Sequence, residues 1–259
     1  MLAKDCSRIR PNVSFLWAMI LGGGLLLVLA GSAAPNAAIA SSGSAPTGSN
    51  DVGVLPGCVP PNANYVIKET TGTLVPGTED IGLHCSECST TINLPFPFTL
   101  YDRNFSTAIV TSKGTLGFIG VTQAYWSDCV PDQYSNYAIF PHWDDLDLSL
   151  TCGNQPCGIY TSVTGSYPHR IFNIEWRARY HGMWNTLNFE VRLYERETRF
   201  DLVYGFVTLE GYDAAVGVQK DTGSRYTVYS CWGYNLPENL LLIFTLPNCP
   251  VNDSPASTN

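Results

Sequence analysis

The sequence predicts an all-β protein, a single antiparallel β-sandwich of about ten strands with a jelly-roll-like arrangement. Short runs rich in β-branched and aromatic residues are separated by turn residues, and helical periodicity is nearly absent beyond the N-terminal segment. Aromatic residues make up 12% of the 259 residues and charged residues only 14%. The chain therefore has enough apolar side chains to form the core of one domain.

The clearest strands are Arg170–Tyr180, Leu187–Tyr194 and Phe200–Tyr204, where apolar and polar residues alternate. A period of two with one apolar face predicts half-buried antiparallel strands. This alternation places Glu175 and Glu190 on polar faces. Weaker candidates are Tyr65–Thr71, Ile92–Tyr101, Thr107–Thr111, Thr115–Ile119, Gly158–Val163, Ala214–Gln219, Tyr226–Ser230 and Leu240–Leu246.

Two prolines, Pro95 and Pro97, interrupt the candidate strand Ile92–Tyr101. Proline cannot donate a hydrogen bond to a neighbouring strand, so we expect this strand to lie at an edge or to contain a bulge. Lys113-Gly114 and Thr222-Gly223 predict tight turns.

The N-terminal segment, residues 1–40, is typical of a signal peptide. Three basic residues occur among the first ten, Phe15–Ala34 is almost entirely apolar, and Ala38-Ile39-Ala40 supplies the small residues of a cleavage site. The alternative is an uncleaved membrane anchor, because about 20 apolar residues span a bilayer. Both alternatives place the rest of the chain outside the cytoplasm. We expect a secreted, extracellular protein, or one attached to the membrane only through this segment.

The remaining chain divides into three parts by composition. Residues 41–57 are small, polar and rich in Gly and Pro, which predicts a flexible linker. Residues 58–250 form the predicted β-sandwich domain. Residues 251–259 again lack large apolar side chains and are expected to form a disordered tail.

The charge balance is acidic, with 14 Lys and Arg against 22 Asp and Glu and a formal net charge of −8 at pH 7. An acidic chain gains little from counterion release on nucleic acid and is repelled by an anionic membrane surface. We therefore expect no nucleic-acid partner. The expected partner is an extracellular ligand, either a protein or a glycan.

The cysteines beyond the N-terminal segment are even in number, which in an oxidising compartment predicts disulfide bonds. A Cys152–Cys157 bond would close a short loop, and a Cys58–Cys249 bond would join the ends of the domain. Zinc binding at Cys85 and Cys88 is the weaker alternative, because no second pair has the matching spacing. The eight disulfide cysteines are Cys58, Cys85, Cys88, Cys129, Cys152, Cys157, Cys231 and Cys249.

Three short motifs lie far apart in the sequence: Leu94-Pro95-Phe96-Pro97-Phe98, Lys113-Gly114 and Trp143-Asp144-Asp145. Together they resemble the landmarks of the nidogen-type extracellular module and of a β-module in secreted bacterial proteins. Lys113 stands where that module usually has Asn. The resemblance covers roughly residues 65–250 and implies an extracellular β-sandwich without established catalysis. The longer blocks that also resemble the module are Leu74–Asp102, Cys157–Tyr180 and Asn188–Gly205.

The densest acidic cluster consists of Asp144, Asp145 and Asp147. Ca²⁺ takes 6–8 oxygen ligands, and three carboxylates close in sequence could begin such a site. The alternative is that these side chains accept hydrogen bonds from nearby backbone N–H groups in a turn. Ca²⁺ is the one cofactor that the sequence suggests.

Glu175 and Glu190 form the best candidate pair for catalysis, because they lie on the same type of face of two strands that should pair. Retaining glycosidases place two carboxylates about 5–5.5 Å apart. The alternative is structural, since Arg177 and Arg192 each follow a glutamate by two residues and would form cross-strand ion pairs. Nearby guanidinium groups would also lower the pKa of the carboxylates.

Several aromatic residues fall in predicted loops, where they could form a recognition surface or cover the open ends of the sandwich. These candidates are Tyr125, Trp126, Trp143, Trp184 and Trp232.

The leading functional hypothesis is a non-enzymatic extracellular module for adhesion or ligand binding, with a glycan as one candidate ligand. The first alternative is a β-jelly-roll glycoside hydrolase that uses Glu175 and Glu190. The second alternative is a purely structural envelope protein.

Overall fold

The computed structural model describes residues 62–124 and 127–247. The predicted signal peptide or anchor, the linker and the C-terminal tail lie outside the described residues. Within residues 62–124 and 127–247, no helix is long and apolar enough to cross a membrane.

The described residues form β-strands and one short 3₁₀ helix, Thr208–Gly211. The strands are β1 Val66–Thr71, β2 Glu79–Asp80, β3 Ser89–Leu100, β4 Arg103–Thr111, β5 Leu116–Gly120, β6 Asn136–Trp143, β7 Leu146–Asp147, β8 Thr151–Cys152, β9 Gln155–Pro156, β10 Gly158–Thr164, β11 Ile171–Tyr180, β12 Thr186–Tyr194, β13 Phe200–Val207, β14 Ala215–Gln219, β15 Tyr226–Cys231 and β16 Leu240–Thr245.

Two antiparallel sheets contain almost all of these strands. The larger sheet has the order β1-β16-β13-β12-β11-β10-β2, with β7 beside β11, and the smaller has the order β15-β14-β6-β5-β4-β3. Strands β8 and β9 form a separate hairpin. The predicted all-β fold with antiparallel sheets is confirmed.

The core lies between the two sheets. Alternate residues of β11 and β12, including Trp176 and Phe189, are fully buried and pack in one cluster with residues of β3 to β6. Two side chains also join the sheets by hydrogen bonds: Trp176 Nε1 donates to the carbonyl oxygen of Thr111 at 2.9 Å, and the Tyr204 hydroxyl donates to that of Pro141 at 2.6 Å. Apolar burial and these bonds together hold the sheets face to face.

The strands predicted from alternation and composition are all present. The sequence did not predict β6 or the two-residue strands β2, β7, β8 and β9, and β6 is the one long strand that was missed. This strand lies in the interior of the smaller sheet, its last six residues are buried, and it contains Pro141. A strand buried on both faces loses the period of two that identifies a half-buried strand. Pro141 is tolerated because the register of β6 against β14 is irregular between Phe140 and Trp143.

The prediction for Pro95 and Pro97 is confirmed. Strand β3 is the edge strand of the smaller sheet, and its pairing with β4 is irregular between Asn93 and Phe98.

Candidate functional site

The outer face of β11 and β12 is covered at its centre, which corrects the half-buried strands expected from the alternation. Glu175 and Glu190 are paired in register and are 3% and 0% exposed. Their cover is the segment 73–77, whose backbone donates from Val75 N to Glu190 Oε2 at 2.7 Å and from Gly77 N to Glu175 Oε2 at 2.9 Å. We call residues 73–77 the covering segment.

Two arginines complete this covered network. Arg177 Nη2 lies 2.7 Å from Glu175 Oε2 and also donates to the carbonyl oxygen of Gly77 at 3.0 Å. Arg192 Nε lies 2.6 Å from Glu190 Oε1, and its Nη2 donates to the carbonyl oxygen of Thr73. Both glutamates are therefore paired with arginines, but each pair lies within one strand, which corrects the expected cross-strand pairs. The arginines also bind the covering segment.

Burial raises the pKa of Glu190 and outweighs the opposing effect of Arg192. Arg192 acts in the expected direction, but the expected net lowering of this pKa is wrong, because removal of the carboxylate from water is the larger influence. A raised pKa suits a general acid, but Val75 and Arg192 occupy the two oxygens of Glu190 beneath the covering segment. The geometry therefore leaves Glu190 no access to a substrate.

Glycine at position 77 allows the covering segment to lie close to the sheet. A Cβ atom at Gly77 would lie 2.5 Å from Cβ of Tyr160 on β10. Such a contact is far shorter than ordinary van der Waals distance, so a larger residue would push the segment away from Glu175.

The same outer face is open at the C-terminal end of β11. A groove of about 740 Å³ lies there, between the turn that joins β11 to β12 and the loops around β8 and β9. It is lined by both apolar and polar side chains, the composition typical of ligand sites. The lining includes His84, Leu150, Thr151, Arg179, Met183 and Trp184.

Trp184 is the most exposed large aromatic side chain in the described residues, at 86%. The Arg179 guanidinium lies over its ring, 5.2 Å from the centroid, in a cation–π arrangement. Arg179 Nε is buried without a hydrogen-bond partner, and none of the ion pairs among the described residues involves Arg179. The groove thus presents an aromatic face beside an uncompensated cation.

Two disulfide bonds hold the walls of the groove. Cys85 is bonded to Cys88, and Cys152 is bonded to Cys157 as expected. The two loops also contact each other, because His84 Nδ1 lies 2.6 Å from the carbonyl oxygen of Cys157. Crosslinks in adjacent loops limit their motion and favour a preformed site.

A third disulfide, between Cys129 and Cys231, lies away from the groove and spans 102 residues. The suggested Cys58–Cys249 bond lies outside the described residues. The bonding of Cys85 to Cys88 removes the thiolates that zinc would need. No group of three or more His, Cys, Asp or Glu in the described ranges could hold a metal ion.

The carboxylates of the three aspartates considered for Ca²⁺ each contact a different group of the protein. They do not converge on one point, as the expected cluster would require. Asp144 Oδ1 accepts from the backbone N–H of Asp145 at 2.6 Å, and Asp145 Oδ1 lies 2.6 Å from Lys113 Nζ. Asp147 Oδ1 accepts from both the backbone N–H and the hydroxyl of Ser149. Their oxygens mainly satisfy local donors, as in the alternative interpretation of this loop.

Two buried side chains at the start of this loop, His142 and Asp144, have strongly shifted pKa values. Burial raises the pKa of Asp144 to about 6 and lowers the pKa of His142 to about 3. Asp144 Oδ2 has no hydrogen-bond partner and lies 3.8 Å from His142 Nε2. His142 is therefore neutral at physiological pH, and part of the Asp144 population is protonated near pH 6.

Ser86, His181 and Asp147 bring together the residue types of a hydrolytic triad. Ser86 Oγ lies 3.3 Å from His181 Nδ1, and Asp147 Oδ2 lies 3.6 Å from the same nitrogen. A triad needs the serine and the acid on opposite nitrogens of the imidazole. This group therefore lacks the geometry for nucleophilic catalysis.

The aromatic residues predicted to lie in loops differ in their exposure to solvent. Trp143 is 1% exposed and packs against Phe140, so its assignment to a recognition surface is wrong. Trp232 is 55% exposed, and its Nε1 donates to the carbonyl oxygen of Ser127. Tyr125 and Trp126 lie outside the described residues. Among the described members of the set, Trp184 is the one that lines the groove.

The family model described as NIDO related matches residues 64–235, well over half of the chain. The chain belongs to the nidogen-related family. Such domains are a non-catalytic type of extracellular module, and the disulfide bonds agree with an extracellular location. No curated protein and no solved structure gave a significant match.

The nidogen-related landmarks at Lys113-Gly114 and Trp143-Asp144-Asp145 are in contact. Asp144 N donates to the carbonyl oxygen of Lys113 at 3.3 Å, and the buried Lys113 ammonium pairs with Asp145. Gly114 has φ +71°, and a Cβ there would lie 2.0 Å from the carbonyl oxygen of His142. Only glycine fits this turn, where the two landmarks contact each other.

The sequence did not identify Arg179 as a functional residue. A signal was nevertheless present, because Glu175 has Arg177 two residues on and Glu190 has Arg192, whereas Arg179 has no acidic residue at that spacing. An arginine without a partner on a face of ion pairs is the feature that could have marked the groove.

Proposed function

We propose that this chain is a non-enzymatic extracellular module that mediates adhesion by binding a ligand in the Trp184 groove. The observation that supports it most strongly is the 86% exposure of Trp184 at the edge of a groove of about 740 Å³. An indole ring left in water is unfavourable for folding, and exposed aromatic side chains are enriched where partners bind.

The build of the groove supports ligand binding. Two of the loops that line it each contain a disulfide bond, and the Arg179 guanidinium lies over the Trp184 ring on one side. A preformed site loses little conformational entropy when a ligand binds. A glycan is the ligand class we favour, because C–H groups of a sugar ring pack well on the electron-rich face of an indole.

The hydrolase alternative finds little support in the same contacts. Glu175 and Glu190 lie beneath the covering segment and accept its backbone N–H groups. A general acid must reach the glycosidic oxygen within hydrogen-bond distance. The purely structural alternative remains as the outcome in which no ligand is bound.

A glycan array and a surface-adhesion assay with the full secreted chain test the proposal. We expect the wild type to bind at least one glycan and Trp184→Ala to lose that binding with an unchanged melting temperature. Trp232→Ala tests the rival exposed tryptophan. Binding lost in Trp232→Ala and kept in Trp184→Ala, or no binding to any glycan or surface, would contradict the proposal.

A further inference from the structure

We propose that the Trp184 groove selects carbohydrates that carry a carboxylate, namely uronic-acid polymers, with Arg179 as the specificity-determining residue. This inference rests on the proposed function and narrows its ligand class. It comes from the contrast between Arg179 and the other arginines on the same sheet.

Arginines on the larger sheet are otherwise neutralised within the protein. Arg177 pairs with Glu175 at 2.7 Å, and Arg192 pairs with Glu190 at 2.6 Å. Arg179 lies two residues beyond Arg177, on the same face of β11, yet takes part in none of the ion pairs of the described residues.

The guanidinium of Arg179 is also short of hydrogen bonds. Its Nε is buried and has no partner in the described part of the chain. A donor without a partner is unfavourable, so the guanidinium is suited to bind an incoming acceptor. A planar carboxylate is the acceptor that fits a guanidinium best, because two parallel N–H donors can bind its two oxygens.

The acidic groups nearest the groove have other partners. Asp80 Oδ2 lies 3.0 Å from His84 Nε2, and its Oδ1 accepts from the backbone N–H of Gly82. Burial raises the pKa of Asp147, but hydrogen bonds from Ser149 together with the charges of His181 and Lys113 lower it overall. Its Oδ2 lies 3.6 Å from His181 Nδ1. Asp147 lies opposite Arg179 in the register of β7 against β11, but no ion pair joins the two among the described residues. Arg179 therefore remains available to a ligand.

The ring of Trp184 decides between an acidic sugar and a simple anion. The guanidinium carbon of Arg179 lies over the Trp184 ring, 5.2 Å from its centroid, and the rest of the indole is exposed. In a uronic acid, the carboxylate is attached directly to a pyranose ring, so the carboxylate can bind Arg179 while the sugar ring packs against the exposed part of the neighbouring indole. A free inorganic anion would use only half of this arrangement.

The test measures dissociation constants by titration calorimetry with two matched probes, an oligogalacturonide and its methyl ester. The two probes share the same sugar ring, but only the first is charged. The full secreted chain should bind the free acid at least about tenfold more tightly than the ester, from the usual strength of a charge-assisted pair. Arg179→Gln should remove this preference.

Arg103→Gln is the matched control, because Arg103 also lies over an aromatic ring, Phe105, at 5.4 Å, but away from the groove. It should keep the preference. Equal binding of acid and ester by the wild type would overturn the inference and leave the proposed groove intact. A preference that persists in Arg179→Gln would do the same, whereas no binding of any carbohydrate by the wild type would overturn both.

Discussion

The centre and one end of the outer face of the larger sheet differ in how their charged side chains are paired. At the centre of β11 and β12, Glu175 and Glu190 are paired with arginines and covered by the segment 73–77. At the end of β11, Arg179 has no acidic partner among the described residues and lies beside the exposed Trp184.

This difference separates structural from functional polar residues. Buried charges that satisfy each other and the backbone contribute to a unique fold and leave nothing for a ligand. A charge that the protein leaves uncompensated beside an exposed aromatic ring is suited to binding. The covered centre is therefore expected to respond to mutation through stability, and the open end through affinity.

The largest expected effect is on the covered centre. Glu190→Ala leaves the Arg192 guanidinium and the Val75 N–H buried without their partner. Breaking one side of a buried ion pair destabilises a protein by about 3–5 kcal/mol. Urea unfolding monitored by tryptophan fluorescence measures this loss, and a change below about 1 kcal/mol would contradict the account.

The double variant Glu190→Leu/Arg192→Met is the control for that experiment. Replacing both partners with apolar side chains removes the uncompensated charge, so much of the lost stability should return. A double variant less stable than Glu190→Ala would show that the arginine acts independently of the glutamate.

A smaller effect on stability is expected at the groove. The Cys152–Cys157 bond closes a loop with a sequence separation of 5, and removing it with serines should reduce the free energy of unfolding by about 2 kcal/mol. Ligand affinity should also fall, because the loop forms a wall of the groove. Thermal melting and calorimetry measure the two effects separately.

The serine variant of Cys129 and Cys231 is the matched control for the disulfide. That bond is away from the groove and closes a much longer loop. It should lower the melting temperature further and leave affinity within about twofold while the protein is folded. Equal losses of affinity in both variants would remove the distinction between the two regions.

Acid titration should reveal a still smaller effect among the buried polar groups. Burial holds the pKa of His142 at about 3, so the folded state cannot take up the proton that unfolded histidine binds near pH 6.5, and stability falls as pH falls. Burial raises the pKa of Asp144 to about 6, so the folded state takes up a proton between pH 6 and 4, which offsets part of that loss. Asp144→Asn removes the offset.

We therefore expect the stability of Asp144→Asn to fall more steeply between pH 6 and pH 4 than that of the wild type. At pH 7 the variant should be at least as stable, since no buried carboxylate then has to ionise. Urea unfolding at a series of pH values tests this, and identical slopes would contradict the raised pKa of Asp144.

The sequence identified the strands more completely than their surroundings. Alternation predicts β11 and β12 because it reflects the local backbone geometry. It does not predict that residues 73–77 cover Glu175 and Glu190, because those contacts join residues 98 and 115 positions apart. The same limit explains β6, whose two buried faces depend on neighbours from distant parts of the chain.

The candidate site was predicted only in part. Exposure cannot be read from residue type alone, so the sequence could not decide whether Trp143 and Trp184 form a recognition surface or cover the ends of the sandwich. In the structure Trp143 is buried and Trp184 is exposed. The acidic loop shows the same problem, since Asp144, Asp145 and Asp147 are close in sequence but point to separate donors.

The most direct test compares Arg177→Gln with Arg179→Gln, two substitutions on the same face of one strand. Arg177→Gln should lower the melting temperature and leave the ligand affinity of the folded protein nearly unchanged. Arg179→Gln should leave the melting temperature unchanged and weaken oligogalacturonide binding by about tenfold or more. The reverse pattern, with stability lost at Arg179 and affinity lost at Arg177, would contradict the division of this face into a covered centre and an open binding groove.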